Sequence, residues 1–302
     1  MPAVDVNGVS LYYETQGNPD HPAIVLVMGL SMQMIMWPAL LCELLVGRGF
    51  FVVRFDNRDI GLSSHLDHLG VPSIPLEFLK YTLHLPMKAP YLIDDMAKDT
   101  AGLIAALGLR RPHVVGASMG GMIVQNLAAR FPDQVASVTS IMSTTGRRNL
   151  PQPKWKTRRA LLKPAAKRGD IEGAVTRMMG ILRTIGSRTY PAPEALLREL
   201  CEQHVRRSNY PPGSARQLLA VAASGDRTAV VRTIRAPALV LHGAEDPLVP
   251  PACGEDTARV IGEGGGQSRL AMIQGMGHDF PQPLIPRIAD EIAAHCLAAA
   301  AR

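Results

Sequence analysis

The residues that most restrict how this chain folds are His113-Val114-Val115-Gly116-Ala117-Ser118-Met119-Gly120-Gly121. Val114 and Val115 are β-branched and follow Pro112, which predicts the end of a short buried strand. Met122, Ile123, Leu127, Ala128 and Phe131 then recur at helical spacing. Only the pattern G-x-S-x-G separates the two elements. A strand that becomes a helix over so sharp a turn forces the serine into a strained backbone conformation. It also needs glycine where strand and helix nearly touch, at Gly116 and Gly120. The Ser118 hydroxyl is then lifted above the sheet, beside a helix N-terminus whose free amides can receive an anion. G-x-S-x-G alone is a weak signal, and a glycine-rich turn between core elements is the alternative. The strand before it and the helix after it give it weight.

The flanking sequence repeats the same rhythm. Val4 to Tyr13 carries Asn7-Gly8 between alternating apolar residues, a hairpin signal. Ile24 to Met28 and Phe50 to Phe55 read as strands covered on both faces. Trp37 to Val46 reads as a helix with Pro38 in its first turn. Leu92, Met96, Leu103, Ile104 and Leu107 mark the helix that feeds the Ser118 strand. Val135 to Met142, Ala238 to Leu241 and Leu270 to Ile273 are further strands, and Ile285 to Ala300 a closing helix. Strands alternating with helices imply a mainly parallel sheet with right-handed crossovers.

Between Gly146 and about Asp226 the strand rhythm stops. Helical segments lie between the proline pairs Pro151/Pro153, Pro191/Pro193 and Pro211/Pro212. From Arg147 to Arg216 there are 16 Lys and Arg against 5 Asp and Glu, a net of +11; the whole chain is +6, which leaves −5 elsewhere. A basic helical insertion on an acidic core suggests a separately packed cap. Such a surface could meet nucleic acid or anionic lipid. Only Trp155, Tyr190 and Tyr210 interleave its charges, so a solvated helical face is the expectation and no nucleic-acid partner is assigned.

Cys42, Cys201, Cys253 and Cys296 lie far apart and match neither a metal spacing nor a disulfide framework. A reducing cytoplasm is therefore the expected location. Met1 to Gly8 carries no basic region and no apolar run, so no signal peptide is expected. Ala23 to Leu41 is uncharged but is broken by Gly29, Ser31, Gln33 and Pro38, which argues against a membrane-spanning helix. His65, Asp67 and His68 lack a second cluster of ligands, so a solvated loop and no metal are expected.

A serine hydroxyl becomes a nucleophile when a base takes its proton and an acid orients that base. In an open parallel sheet these groups gather beyond the carboxyl ends of the strands. After the strand Ala238 to Leu241 comes His242-Gly243-Ala244-Glu245-Asp246-Pro247. After Leu270 to Ile273 comes Gln274-Gly275-Met276-Gly277-His278-Asp279. Asp246 and His278 thus follow Ser118 in the order serine, acid, histidine. No carboxylate occurs between Asp133 and Asp170, which removes the loop after Val135 to Met142 as a source of the acid. Glu245 is the fallback acid, and Asp279 adjoins His278 too closely to orient it easily.

With these residues in hand, the chain resembles the α/β-hydrolase superfamily. The resemblance covers about Val4 to Thr145 and Val231 to Ala298. It rests on Gly116-Ala117-Ser118-Met119-Gly120-Gly121, Gly243-Ala244-Glu245-Asp246-Pro247 and Gly277-His278-Asp279. Asp56-Asn57-Arg58-Asp59-Ile60-Gly61-Leu62-Ser63 is similar to the family's D-x-R-G-x-G-x-S, with Asp59 in place of glycine. Taken by itself that segment reads as a structural loop bracing the sheet top. Among subfamilies the chain looks most like capped esterases of the aclacinomycin methylesterase type. The resemblance implies an α/β fold: a mostly parallel sheet flanked by helices, residues 1–145 and 227–302, with a helical cap at 146–226 inserted after the sixth strand. It implies ester hydrolysis by Ser118, His278 and Asp246 through an acyl-enzyme, without a cofactor. It also implies an oxyanion hole from the backbone amides of Leu30 and Met119, where the usual His-Gly is Met28-Gly29. The contributing residue of the Gly29 to Ser31 turn stays open.

The cluster Met28, Met32, Met34, Met36 and Trp37 reads either as core or as an adaptable apolar acyl pocket. Gly29, Met32, Trp37 and Met122 are the candidate pocket residues. The expected partner is a small or medium apolar ester, and a homo-oligomer is compatible with the sequence. Rival activities on the same three residues are those of a lactonase, a cofactor-free perhydrolase and a carbon–carbon hydrolase. A hydrolase-like ligand-binding protein is the rival from another class.

Overall fold

The computed structural model describes residues 2–161, 166 and 169–301. The stretches 162–165 and 167–168 of the basic insertion lie outside the described residues. The chain opens with a hairpin of β1 (Ala3–Val6) and β2 (Val9–Gln16). Asn7 and Gly8 both have positive φ, +48° and +74°, the backbone a two-residue hairpin turn of matching twist requires. The strands β3 (Ala23–Val27), β4 (Phe51–Phe55), β5 (His113–Ala117), β6 (Ser137–Ile141), β7 (Ala238–Gly243) and β8 (Ser268–Ile273) follow. Among the described residues they form one eight-stranded sheet in the order β1-β2-β4-β3-β5-β6-β7-β8. β2 pairs antiparallel with β1 and β4, and every other pairing is parallel.

The helices are α1 (Ala39–Gly47), α2 (Ile74–Thr82), α3 (Ile93–Ala106), α4 (Met119–Arg130), α5 (Trp155–Leu161), α6 (Ile171–Ile185), α7 (Glu194–Arg207), α8 (Pro211–Ser224), α9 (Thr228–Val231), α10 (Pro251–Glu263) and α11 (Ile285–Ala300). α3 and α4 cover one face of the sheet, α1 and α11 the other. The β-branched and leucine runs of β3 and β5 are fully buried between them. None of the helices is long and apolar enough to cross a membrane among the described residues.

Helices α5 to α8 all fall between β6 and β7. Val175, Met178, Met179, Leu197, Cys201 and Val205 give α6 and α7 an apolar cluster of their own. Both ends of the insertion leave the sheet side by side. The Arg227 amide donates to Thr145 O at 2.8 Å, and a Cβ on Gly146 would stand 2.2 Å from Gly225 O. The insertion's positive charge is not all solvated, contrary to the expectation from composition. Arg207 and Arg216 reach inward to Asp56 and Asp59 of the loop after β4, and Arg216 is fully buried.

Order 4-3-5 at the centre of the sheet makes β3 the switch point. The chain leaves β3 toward β4 on one side and reaches β5 on the other. A crevice beyond the strand ends is expected there.

Candidate active site

Ser118 ends β5 and begins α4 with φ +56° and ψ −116°, a conformation non-glycine residues avoid and one that costs about 1–3 kcal/mol. Its surroundings leave no alternative. A Cβ on Gly116 would stand 2.1 Å from Gly120 O, and one on Gly120 would stand 2.0 Å from Val27 O. The Ser118 amide donates to Ile141 O at 2.9 Å, and Ser143 Oγ donates to Ser118 O at 2.8 Å. The turn is therefore held from β6, and the half-buried side chain points out of it.

His278 Nε2 lies 3.0 Å from Ser118 Oγ, and its Nδ1 lies 2.7 Å from Asp246 Oδ2. The other Asp246 oxygen accepts the Leu248 and Val249 amides, both at 2.8 Å. Those amides fix the carboxylate plane, so the carboxylate fixes the imidazole. An Nδ1–H donated to Asp246 leaves Nε2 as the acceptor facing the serine. Buried His242 sits 3.6 Å from Asp246 Oδ2 but bonds Val249 O at 2.8 Å. Desolvation by burial lowers its pKa and keeps it neutral.

The other two carboxylates of these loops, Glu245 and Asp279, have other partners. Glu245 accepts the Thr189 hydroxyl and the amides of Arg188 and Thr189. The Thr189 hydroxyl, against a smaller desolvation, and these amides hold it below the ordinary glutamate value. Asp279 accepts the Ser187 amide at 3.0 Å and the Ser187 hydroxyl, which itself accepts the Gly277 amide at 2.7 Å. Burial raises the Asp279 carboxyl in spite of these bonds. The His278 amide donates to Ile185 O at 2.9 Å. Residues 185–189 of the insertion are thus fastened to the loops that carry Asp246 and His278.

The turn after β3 faces Ser118 from the other side. A Cβ on Gly29 would stand 3.2 Å from Ser118 Cβ, so glycine leaves room directly over the hydroxyl. The Ser31 amide is occupied by Gln217 Oε1 at 2.9 Å, and the Met32 amide by Gly29 O at 3.2 Å. Among the described residues, the Leu30 and Met119 amides donate to no protein acceptor. Of the Leu30 and Ser31 amides, then, Leu30's is the unoccupied one.

The candidate pocket residues do not all lie alike. Met32 is half-buried and packs against both the sheet core and the apolar cluster of α6 and α7, so it stands where the two meet. Met122 is half-buried on α4. Trp37 is 1% exposed and packs on Phe280 with ring centroids 5.2 Å apart. It lies in the apolar cluster that includes Leu41, Cys42 and Leu45 of α1.

The loop after β4 does more than brace the sheet. Asp56 Oδ1 accepts the Met34 amide at 2.8 Å, and Asn57 Nδ2 donates to Met28 O at 2.9 Å. Asp59 takes φ +66°, the conformation that favours the family's glycine. Its carboxylate accepts Arg216 through both oxygens, at 2.7 and 2.8 Å. Burial alone would raise the Asp59 pKa; Arg216 and the Leu66 amide outweigh it and hold it low. His65, Asp67 and His68 are all exposed, as a solvated loop has them, and two of them also meet Tyr210. His65 stacks on Tyr210 at 3.8 Å, and Asp67 accepts the Tyr210 hydroxyl. Nothing in the local sequence marks Arg207, Arg216 or Gln217 as partners of this site.

A family model described as the alpha/beta hydrolase fold matches residues 22–280. The chain belongs to that family. As an alpha/beta hydrolase it is similar to the rhodomycin D methylesterase of Streptomyces peucetius, with 26% identity covering 96% of each chain. It is 26% identical to 3-oxoadipate enol-lactonase 2 of Acinetobacter baylyi, covering 82% of this chain and 80% of that one. Among solved structures it superposes on the enol-lactonase of Burkholderia xenovorans with TM-score 0.70 and 23% identity, covering all of both chains. The hydrolase family and the mostly parallel sheet agree with the reading of the sequence.

Proposed function

We propose that this alpha/beta hydrolase is a serine carboxylic-ester hydrolase. The observation that carries the reading is the hydrogen-bonded chain Asp246–His278–Ser118, with the unoccupied Leu30 and Met119 amides beside the serine. Ser118 Oγ attacks the ester carbonyl as His278 Nε2 takes its proton. The carbonyl oxygen becomes an oxyanion between the two amides, where each donor is worth about 3 kcal/mol. His278 returns the proton to the leaving alkoxide, which departs as the alcohol. Water then attacks the acyl-enzyme by the same path and releases the acid. Asp246 holds the imidazole tautomer and stabilises the imidazolium. No step calls for a metal or an organic cofactor.

Residues 146–226 act in this reading as a cap over the sheet, with residues 1–145 and 227–302 as the core. Met32 and Met122 supply apolar surface for a small or medium acyl group. The methylesterase named above supports an ester over a lactone, its sequence similarity covering 96% of this chain against 82% for the enol-lactonase. Hydrolysis of p-nitrophenyl esters of graded acyl length, by the wild type and by Ser118→Ala, tests the reading. The variant should keep its fold and lose on the order of 10⁴-fold or more in kcat/KM. A variant as active as the wild type would place the chemistry elsewhere.

A further inference from the structure

Helix α8 lays one face on the loop after β4. Gly213, Arg216, Gln217 and Ala220 fall on that face at positions i, i+3, i+4 and i+7. A Cβ on Gly213 would stand 1.9 Å from Asp59 O, so the helix backbone rests on the loop. Arg216 grips the Asp59 carboxylate beneath it. Gln217 is fully buried, and its amide has one orientation. Oε1 accepts the Ser31 amide at 2.9 Å, and Nε2 donates to Arg58 O at 2.8 Å. One partner is a backbone donor and the other a backbone acceptor, so reversing the amide would lose both bonds.

Ser31 follows Leu30 in the turn over Ser118 and holds φ +61°. Its amide and that of Leu30 are successive donors, and the amide that turns toward Ser118 becomes available to an oxyanion. Other bonds hold the turn at different atoms: Asn57 at Met28 O, Met34 N at Asp56, and Met32 N at Gly29 O. Among the described residues, Gln217 is what engages the Ser31 amide.

Building on the serine-hydrolase reading, we propose that Gln217 of the cap is a positioning residue for the oxyanion hole. By occupying the Ser31 amide it fixes the left-handed Ser31 and leaves the Leu30 amide as the donor over Ser118. Without this acceptor the Ser31 amide is left unsatisfied at a part-buried contact, and the turn rotates to satisfy it. The Leu30 donor then misses the oxyanion. A donor used mainly in the transition state affects kcat more than KM. The seating of the cap is thereby coupled to the chemistry, although Gln217 touches no reacting atom.

The full-length chain carrying Gln217→Met or Gln217→Glu tests this. The readouts are thermal unfolding, kcat and KM on a p-nitrophenyl ester, and inhibition by an aryl trifluoromethyl ketone, which adds to the serine as an oxyanion. For Gln217→Met, kcat should fall about 10- to 100-fold with KM nearly constant, and the ketone should weaken by the same factor. Gln217→Glu keeps the acceptor for Ser31 but loses the donor to Arg58 O, so it should recover part of the loss. Wild-type kcat in folded Gln217→Met, or a loss confined to KM with unchanged ketone inhibition, overturns the proposal. Should Gln217→Met not fold, Gln217→Leu takes its place with the same two outcomes: a kcat loss of about tenfold or more at nearly constant KM supports the role, and wild-type kcat in the folded protein overturns it. Ser118→Ala separates the two readings. Full activity in Ser118→Ala sinks the hydrolase assignment and this proposal together. An inactive Ser118→Ala beside a fully active Gln217→Met sinks this proposal alone.

Discussion

Three carboxylates lie in the two loops that follow β7 and β8, and the structure gives each a different partner. Asp246 alone meets a histidine that also reaches Ser118. Glu245 and Asp279 hold residues 187–189 of the insertion. Conservative changes therefore separate their roles. Asp246→Asn should fold and lose kcat by up to about 10⁴-fold, because the amide favours the unproductive tautomer. Glu245→Gln keeps an oxygen acceptor and should stay within about tenfold of the wild type. Steady-state kinetics on one ester checks both, and the reverse ranking would make Glu245 the orienting acid. Asp59 shows how a departure from a family pattern is accommodated. A carboxylate replaces glycine at a positive φ, and a buried bidentate Arg216 holds it there. Removing either partner of such a pair costs about 3–5 kcal/mol, because the other is left charged and alone.

At the scale of elements, what was legible in the sequence was local. The hairpin, the buried strands, the turn at Ser118 and α11 each announce themselves by periodicity or by glycine, and the structure places them within a few residues of the expected bounds. The loops carrying Asp246 and His278 followed from strand ends alone. α2 was not legible, because its pattern is inverted. Leu76, Phe78, Leu79 and Tyr81 are about half-exposed, while Glu77 is buried and bonds Lys80 and the Lys88 amide. An apolar stripe that faces outward gives no sign of where the core lies. The grip of α7 and α8 on the site was equally hidden. Arg207 and Asp56, or Gln217 and Ser31, lie more than a hundred residues apart, and neither pair has a local signature. Charge counting read the insertion as a solvated basic face because composition cannot tell a paired arginine from a free one. Trp37 was ambiguous for a similar reason, since a tryptophan beside a methionine cluster suits a core and a pocket equally.

Across the whole molecule, burial ties stability to pH. Burial pushes His113 from 6.5 down to about 4. His204 is pushed down to about 4 by burial and then by Arg207. Below about 6.5 the unfolded chain binds protons that the native protein refuses, so stability falls as pH drops from about 6.5 toward 4. Above 6.5 both histidines are neutral in either state and contribute no slope. The loss at pH 4 is on the order of 2–3 kcal/mol for each. Tm measured from pH 8 to 4.5 should hold level and then decline below about 6.5; a level Tm down to pH 5 would contradict it. The proposed function puts one activated serine where β5 meets α4, in reach of its base and oxyanion donors. A fluorophosphonate reports on it directly, because it bonds only a serine in that state. Intact-mass and peptide analysis of the wild-type protein should show one adduct, on the peptide containing Ser118, and Asp246→Asn should slow its formation strongly. An unmodified folded protein, or an adduct on a residue other than Ser118, would contradict the account.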